Sequence, residues 1–312
     1  MADLWPELPY AAWVKTYETL HLWTQVVGKT RLALTPWLNH SWHVTFRVTA
    51  RGLVTPLIPN DGNDFQIEFD FIDHLLWLRT ANGTSQKIAL RPMSVAQFYA
   101  EYRQALSALK IDVEIDPMPN EVLSAIAFDQ DTTHASYDPE YANRHWRVLL
   151  RASEVFHYFR TAFLGKASPV QFFWGSFDLA VTRFSGRHAP RHPGGIPNLS
   201  DAVTREAYSH EESSCGFWPG GGAVDYPAFY SYAYPAPEGF GAAAVKPDAA
   251  FFHKELGEFI LPYDAVRTSA DPKQTLLDFL QSTYEAAADL AKWDRASLEC
   301  DFGERGTPRV VG

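Results

Sequence analysis

The chain has 312 residues, of which 46% are hydrophobic and 21% are charged, a composition typical of globular proteins that excludes a disordered or fibrous chain. Its formal net charge of −10 argues against binding to nucleic acid or to an anionic membrane surface, because both would repel it. Two cysteines are too few for a disulfide framework or a structural zinc site, and they fit a reducing compartment.

The sequence predicts neither a secretory signal nor a membrane span. Its first residues are acidic, whereas a signal peptide needs a basic region followed by an apolar run. No stretch approaches the roughly 18 apolar residues that a transmembrane helix requires. We therefore expect a cytoplasmic protein.

The first elements of the chain are predicted from the spacing of apolar residues. Apolar and aromatic side chains recur on one helical face between Trp13 and Val27, and Gly28 is expected to end this helix. Apolar and polar residues then alternate over residues 43–50 and 65–71, which indicates two half-buried strands. An antiparallel sheet is therefore expected to follow the first helix.

A hairpin, a helix and a strand complete the first half of the chain. Asn82-Gly83 stands between two short runs of strand-forming residues and is a turn sequence that β-hairpins favour. Ser94 and Gln97 form a capping box, which predicts the start of a helix. Apolar and polar residues alternate again over residues 111–115, and this pattern predicts a short strand.

The second half follows an irregular segment, residues 117–137, which we interpret as a connector because it contains prolines and shows no periodicity. Asp138-Pro139 and Asp271-Pro272 each place a capping aspartate before a proline, a pattern typical of helix starts. Strands are predicted between these two helices, over residues 170–186, 226–234 and 249–263.

The order helix, strands, helix thus occurs twice. It predicts an α+β fold of two similar halves, residues 1–116 and 138–312, with antiparallel sheets covered by helices. A local match supports an internal repeat, because Gly28-Lys29 and Gly165-Lys166 are each followed by a tryptophan eight residues after the lysine.

Several stretches of the second half resemble a known family. They are GKASPVQFFWGSFDLAVTRFSGR at residues 165–187, AYSHE at residues 207–211, GFWPG at residues 216–220 and LQSTYEAA at residues 280–287. They are similar to a set of bacterial proteins known only as a domain of unknown function, and the similarity extends from Trp5 to about Arg295. The resemblance implies a bacterial protein whose two halves form one unit. It implies no reaction, cofactor or catalytic residue.

Residues 187–225 are predicted to form a long loop insertion, because they show little periodicity, and such loops often line binding sites. His210 is the candidate general acid or base, and Glu211 is the side chain expected to orient it. The alternative is an insertion that only covers a sheet edge. A loop could bring His188 and His192 to His210, but the spacing matches no zinc pattern, so the sequence predicts neither a metal nor a cofactor.

A buried cation is expected on the strand over residues 176–184. Arg183 falls on its apolar face, where an unpaired guanidinium would be costly, while Asp178 belongs to its polar face. Arg183 is interpreted either as part of a structural ion pair between the halves or as an anion clamp for a ligand. His43 and Arg47 are the corresponding polar candidates in the first half.

An aromatic strand is predicted between Pro227 and Phe240, with Tyr230, Tyr232 and Tyr234 on one face. Such a row suits either a wall for a flat or sugar-like ligand or ordinary core packing. The complete set of predicted ligand-binding residues is Arg183, Asp178, Arg187, His43, Arg47, Trp174 and Tyr232.

These patterns favour a small-molecule-binding or hydrolase-like protein with a pocket between its halves. The alternative, from a different class, is a structural or interaction protein whose aromatic residues serve packing and homo-oligomerisation. The sequence contains no nucleophile elbow of the Gly-x-Ser-x-Gly type, so whether the protein is an enzyme stays open at this point.

Overall fold

The first half of the chain forms a long helix, an antiparallel sheet of five strands and a second helix, in a computed structural model that describes residues 4–309. The helices are α1 (Tyr10–Leu34) and α2 (Val95–Ala108). The strands lie side by side in chain order and are β1 (Arg47–Val48), β2 (Gly52–Val54), β3 (Phe65–Asp70), β4 (Leu75–Thr80) and β5 (Ser85–Ala89).

The second half forms a six-stranded antiparallel sheet flanked by helices. Its strands are β6 (Gln171–Phe173), β7 (Asp178–His188), β8 (His210–Trp218), β9 (Ala228–Tyr234), β10 (Phe251–His253) and β11 (Glu258–Pro262). Their order across the sheet is β10-β11-β9-β8-β7-β6. The helices are α3 (Pro139–Thr161), α4 (Asp201–Ala207), α5 (Tyr263–Arg267), α6 (Pro272–Leu290) and α7 (Arg295–Leu298). The α+β fold predicted from the sequence is confirmed.

Side-chain caps begin three of the long helices where the sequence predicted them. The side chain of Ser94 accepts a hydrogen bond from the Gln97 amide at the start of α2. Asp138 and Asp271 accept equivalent backbone hydrogen bonds at the starts of α3 and α6. Each such cap contributes about 1 kcal/mol by satisfying amide groups that have no partner inside the helix.

The first sheet agrees only in part with its sequence pattern. Strand β3 buries Phe65, Ile67 and Phe69 as alternation predicted, and β4 and β5 form the predicted hairpin. The strand predicted over residues 43–50 is limited to the two residues of β1. The strand predicted over residues 111–115 is absent, because this stretch has no strand partner and packs as irregular chain.

A pair of backbone hydrogen bonds joins the two sheets. The amide of Phe46 donates to the carbonyl of Phe172, and the amide of Phe172 donates to the carbonyl of Phe46, each over 2.9 Å. Phe46 precedes β1 and Phe172 lies in β6, so the edge strands of the two sheets meet here. Both halves thus share one continuous core, while their origin as an internal repeat stays a prediction.

The six-stranded sheet has two chemically different faces. On one face, apolar side chains such as Leu179, Val181, Phe217 and Phe229 are fully buried and belong to the main core. Helices α3 and α6 pack against this face of the sheet. The residues between them along each strand point to the other face, as the two-residue repeat of a strand requires.

The prediction of a long loop insertion over residues 187–225 is wrong for its centre. Residues 210–218 form β8, which lies between β7 and β9 in the sheet, and residues 201–207 form α4. The sequence pattern did not predict this strand, because Glu212, Ser213 and Ser214 are all polar and yet buried. Apolar alternation marks only strands that have water on one face.

The prediction that Gly28 ends the first helix is also wrong, since α1 continues to Leu34. Gly28 is buried inside the helix, directly against the indole of Trp174. A β-carbon at this position would overlap the indole ring, so the glycine permits a close approach of helix and sheet.

We predict that Gly28→Ala destabilises the protein. Crowding against Trp174 should cost about 1–3 kcal/mol, more than the roughly 1 kcal/mol that alanine gains over glycine in a helix. The measurement is the free energy of unfolding in urea. In a double-mutant cycle, Trp174→Phe should remove most of the penalty, because the smaller ring leaves room for the added carbon. A Gly28→Ala protein more stable than the wild type would contradict this account.

Candidate functional site

A cavity of about 540 Å³ lies on the face of the six-stranded sheet that carries no helix α3 or α6. Its floor consists of residues from β6, β7, β8, β9 and β11. Residues 37–44 of the first half, residues 120 and 121 of the connector, and α4 cover this floor. The cavity is therefore enclosed by parts of the chain that are distant in sequence.

Strand alternation determines which side chains form the floor. Every second residue of β7 from Asp178 to Phe184 faces the cavity, and so do alternate residues of β8 and β9 beside it. The side chains placed there are Asp178, Ala180, Thr182, Phe184, Glu212, Ser214, Tyr230 and Tyr232.

Aromatic rings form a large part of the cavity wall. Nine of them border the cavity, namely Trp37, Trp42, Phe173, Trp174, Phe184, Tyr208, Trp218, Tyr230 and Tyr232. The indole of Trp174 is held in place because its Nε1–H donates a hydrogen bond to the Val44 carbonyl over 3.0 Å. Such walls offer large flat faces for an organic ligand.

Three carboxyl groups come together at one end of the cavity. Asp178 accepts hydrogen bonds from the hydroxyls of Ser176 and Tyr230, and burial raises its pKa. Burial also raises the pKa of Glu121 and of Glu258 to about 7, and the negative charge of Asp178 contributes to both shifts. The three groups are thus close enough to influence one another's ionisation.

Local backbone geometry directs Glu121 into this group. Glu121 adopts a left-handed conformation with φ of 60°, and its amide donates to the Pro197 carbonyl over 3.0 Å. The neighbouring Asn120 is fixed by hydrogen bonds of 2.8 and 2.9 Å to the side chain of Gln25. The Glu121 carboxyl group occupies the space that a β-carbon at Gly175 would fill, so this glycine allows the carboxyl group to approach the backbone closely.

A fourth carboxyl group, that of Glu212, occupies another part of the cavity. Burial raises its pKa to about 8, although a hydrogen bond from Tyr232 and the charge of Lys166 act in the opposite direction. The Tyr232 hydroxyl donates to Oε1 over 3.4 Å and receives a hydrogen bond from the Tyr208 hydroxyl over 3.2 Å. This end of the cavity is therefore a hydrogen-bonded chain of hydroxyl and carboxyl groups.

Lys166 and His40 form a contact beside Glu212. Nδ1 of His40 lies 2.6 Å from the Ala207 carbonyl and must donate to it, which leaves Nε2 as an acceptor. Nζ of Lys166 lies 2.7 Å from this Nε2 and donates to it. Burial lowers the pKa of both side chains. His40 also has a left-handed backbone, with φ of 59°, and its amide donates to Glu206 over 2.9 Å.

Three of the residues predicted from the sequence line the cavity. They are Asp178, Trp174 and Tyr232. Asp178 lies on the polar face of its strand, as predicted, and Tyr232 shares its face with Tyr230. The structure thus brings these three candidates together, while their role in binding stays a prediction.

The candidates His210 and Glu211 do not border this cavity. Glu211 faces the helix side of the sheet, where it forms an ion pair of 2.6 Å with Arg187 and borders a smaller cavity of about 180 Å³. The His210 ring lies 4.6 Å from the ring of His188. The carboxyl group of Glu211 is therefore engaged by Arg187 and is not oriented toward His210. Neighbouring strand residues point to opposite faces, so adjacency in sequence does not direct the two side chains toward each other. Their role as a general acid–base pair stays a prediction.

Arg183 is fully buried on the helix side of the sheet, does not border the cavity and forms no ion pair within residues 4–309, while a role as an anion clamp stays a prediction. Its guanidinium lies 3.5 Å from the ring centre of Phe159 and 4.3 Å from that of Tyr284, and it donates to the Phe159 carbonyl. Burial lowers its pKa to about 10. Within residues 4–309 it has no carboxylate partner, so aromatic faces hold the charge in place of an ion pair.

His43 and Arg47 also lie away from the cavity lining. Nδ1 of His43 accepts a hydrogen bond from the Leu38 amide over 3.3 Å. Arg47 donates to Thr45 over 3.1 Å and to Gln171 over 3.3 Å, which ties the first half to β6. Arg47 therefore contributes to the contact between the halves, whereas the His43 ring contacts residues of the first half.

Sequence reasoning missed Glu121, Glu212 and Glu258. Glu121 lies in the connector, where the sequence shows no periodicity from which the direction of its side chain could be predicted. Glu258 is the first residue of β11. Only Glu212 could have been predicted from the sequence. Once residues 210–218 are assigned as a strand, Glu212 and Ser214 lie on the same face of it.

Two further findings concern residues 4–309 as a whole. No group of three or more His, Cys, Asp or Glu side chains among them is arranged to hold a metal ion. None of the helices formed by these residues is both long enough and apolar enough to cross a bilayer.

The fold and the site define an α+β protein with an acidic, aromatic-lined cavity. Residues 5–300 match the model of DUF5996, a family of unknown function, and the chain belongs to this family. The resemblance to a domain of unknown function is thereby confirmed. No curated protein and no solved structure matches the chain.

The raised pKa of Glu212 predicts a loss of stability as pH rises. The folded protein keeps this proton up to about pH 8, whereas the unfolded chain releases it near the ordinary value of 4.5. Raising the pH through this window therefore favours unfolding, by at most about 1.4 kcal/mol per pH unit for one group. Urea denaturation of the wild type and Glu212→Gln between pH 6 and 8 measures the difference, and the variant should lose less stability.

The matched control is Glu238→Gln, which removes an exposed carboxyl group in a loop. It should follow the wild-type pH profile. Parallel profiles for the wild type and Glu212→Gln would show that Glu212 ionises normally in the folded protein.

Proposed function

We propose that this protein binds a small organic molecule in the cavity between its two halves. The observation that carries the proposal is a space of about 540 Å³ that contains four carboxyl groups, none of which forms an ion pair within residues 4–309. Wholly or partly buried acidic groups without a counter-charge destabilise a fold, and they recur where a ligand supplies that charge. We place this activity in the cytoplasm, without a nucleic-acid partner, on the composition and charge of the chain.

Two further features of the cavity support a binding role. Its volume falls within the roughly 300–1,000 Å³ typical of small-molecule sites, and its wall combines aromatic faces with a few polar groups. Left-handed backbone at His40 and Glu121 costs on the order of 1–3 kcal/mol at each residue, and such strain is concentrated at functional sites. The backbone conformation of these two cavity residues is therefore less stable than ordinary backbone.

A hydrolytic activity is the second candidate function, and the ionisation of the cavity favours it. Burial raises the pKa of Glu121 and Glu258 to about 7 and that of Glu212 to about 8. A carboxylic acid of this kind retains a proton at neutral pH and can donate it to a leaving group. Chromogenic esters, amides and glycosides test this, since turnover that Glu212→Gln abolishes supports an enzyme and binding without turnover supports a binding protein.

Filling the cavity should abolish ligand binding. Ala180 lies on the cavity floor, and Ala180→Leu adds apolar volume there while leaving every carboxyl group in place. A library of small molecules screened by thermal shift should yield ligands that stabilise the wild type, by about 2.7 kcal/mol at a hundred times the dissociation constant. The same ligands should not stabilise Ala180→Leu.

The matched control is Ala100→Leu, the same change on the exposed side of α2. It should keep the full thermal shift. Ligands that stabilise Ala180→Leu as much as the wild type would place binding elsewhere. A library without any ligand would favour the structural or interaction role.

A further inference from the structure

Asp178 contacts the hydroxyl end of Tyr230, and two further acidic residues of the cavity lining interact electrostatically with Asp178. The Tyr230 hydroxyl donates to Asp178, and the charges of Asp178 and Glu258 both affect the ionisation of Tyr230. Glu121 lies in the connector, and the charge of Asp178 contributes to its raised pKa. Three elements that are distant in the chain, namely β7, β11 and the connector, therefore contribute carboxyl groups to the same cavity.

No cationic side chain within residues 4–309 forms an ion pair with any of these three carboxyl groups. The charge of Lys166 acts on Glu212, and its Nζ donates a hydrogen bond to His40. The acidic end of the cavity thus has no internal counter-charge, although the fold provides one for Asp70 through Arg51 and for Glu211 through Arg187.

The aromatic wall of the cavity favours cationic ligands, independently of the acidic residues. The faces of Trp and Tyr rings carry partial negative charge and attract organic cations, and Trp174, Trp218 and Tyr230 all border the cavity. In addition, the hydroxyl of Thr204, a buried lining residue, has no hydrogen-bond partner among the described residues. A ligand with a polar atom would satisfy such a group.

We propose that the cavity takes an organic ammonium ion, whose positive charge lies beside Glu121, Asp178 and Glu258 and whose carbon groups contact the surrounding aromatic rings. This inference rests on the proposed function and adds the chemical class of the ligand. A cation of this kind satisfies the carboxyl groups and the ring faces at once.

The other ligand classes satisfy only one of these features. An anionic ligand would meet three acidic groups and gain no cationic partner at this end of the cavity. A neutral sugar would stack on the rings and accept hydrogen bonds, but it would leave the carboxyl groups without a counter-charge. The net charge of −10 also favours the approach of cations over anions.

The test compares ammonium ions with uncharged molecules of the same shape. Isothermal titration calorimetry would measure choline against 3,3-dimethylbutan-1-ol, and pentylammonium against pentan-1-ol, with glucose and acetate as further probes. We expect at least one ammonium ion to bind at least tenfold more tightly than its neutral counterpart. Glu258→Gln and Glu121→Gln should each weaken that binding at least tenfold, and Glu238→Gln should not.

The outcomes separate this inference from the proposed function. Equal binding of the ammonium and neutral molecules, or unchanged affinity in both Glu→Gln variants, overturns the ammonium assignment. If Ala180→Leu still abolishes binding in that case, the proposed function stands. Tighter binding of glucose or acetate than of every ammonium ion likewise overturns the assignment. Circular dichroism of each variant verifies that it is folded, and Gln retains the size of the protonated acid.

Discussion

The two-residue repeat of the central strands determines where this protein places its buried charge. Glu211 and Glu212 are adjacent in β8, yet Glu211 pairs with Arg187 on the helix side while Glu212 borders the cavity. In β7, the same repeat sends Asp178 to the cavity and Arg183 into the core. The six-stranded sheet thus separates the packed core on its helix side from the cavity on its other face.

Arg183 and Asp178 are buried on opposite faces of the six-stranded sheet and do not form an ion pair with each other. The guanidinium of Arg183 is held by the rings of Phe159 and Tyr284, and Asp178 is held by two hydroxyl groups. A direct ion pair between the two would have left a closed, neutral core. Their separation leaves the cavity with carboxyl groups that form no ion pair within residues 4–309, which is the property that both proposals use.

The sequence predicted the parts of the structure that depend on local chemistry. The cap at Ser94 and the alternation in β3 follow from neighbouring residues, and the structure confirms both. Gly28 was misinterpreted because its role depends on Trp174, far along the chain. Strand β8 was missed because the cavity, and not solvent, explains its polar residues. The site was predictable for Asp178, on a regular strand, and unpredictable for Glu121, whose direction is set by distant partners.

The origin of the cavity wall has a consequence for biosynthesis. Its lining extends from Leu32 to Glu258, so more than two thirds of the chain must leave the ribosome before the last acidic group is present. Contacts of such long range form late and slowly. A ligand of this cavity consequently cannot act as a template for the early stages of folding on the ribosome. A ligand that needs the complete cavity would instead stabilise the folded chain, in which the two sheets are joined at Phe46 and Phe172, over the unfolded chain.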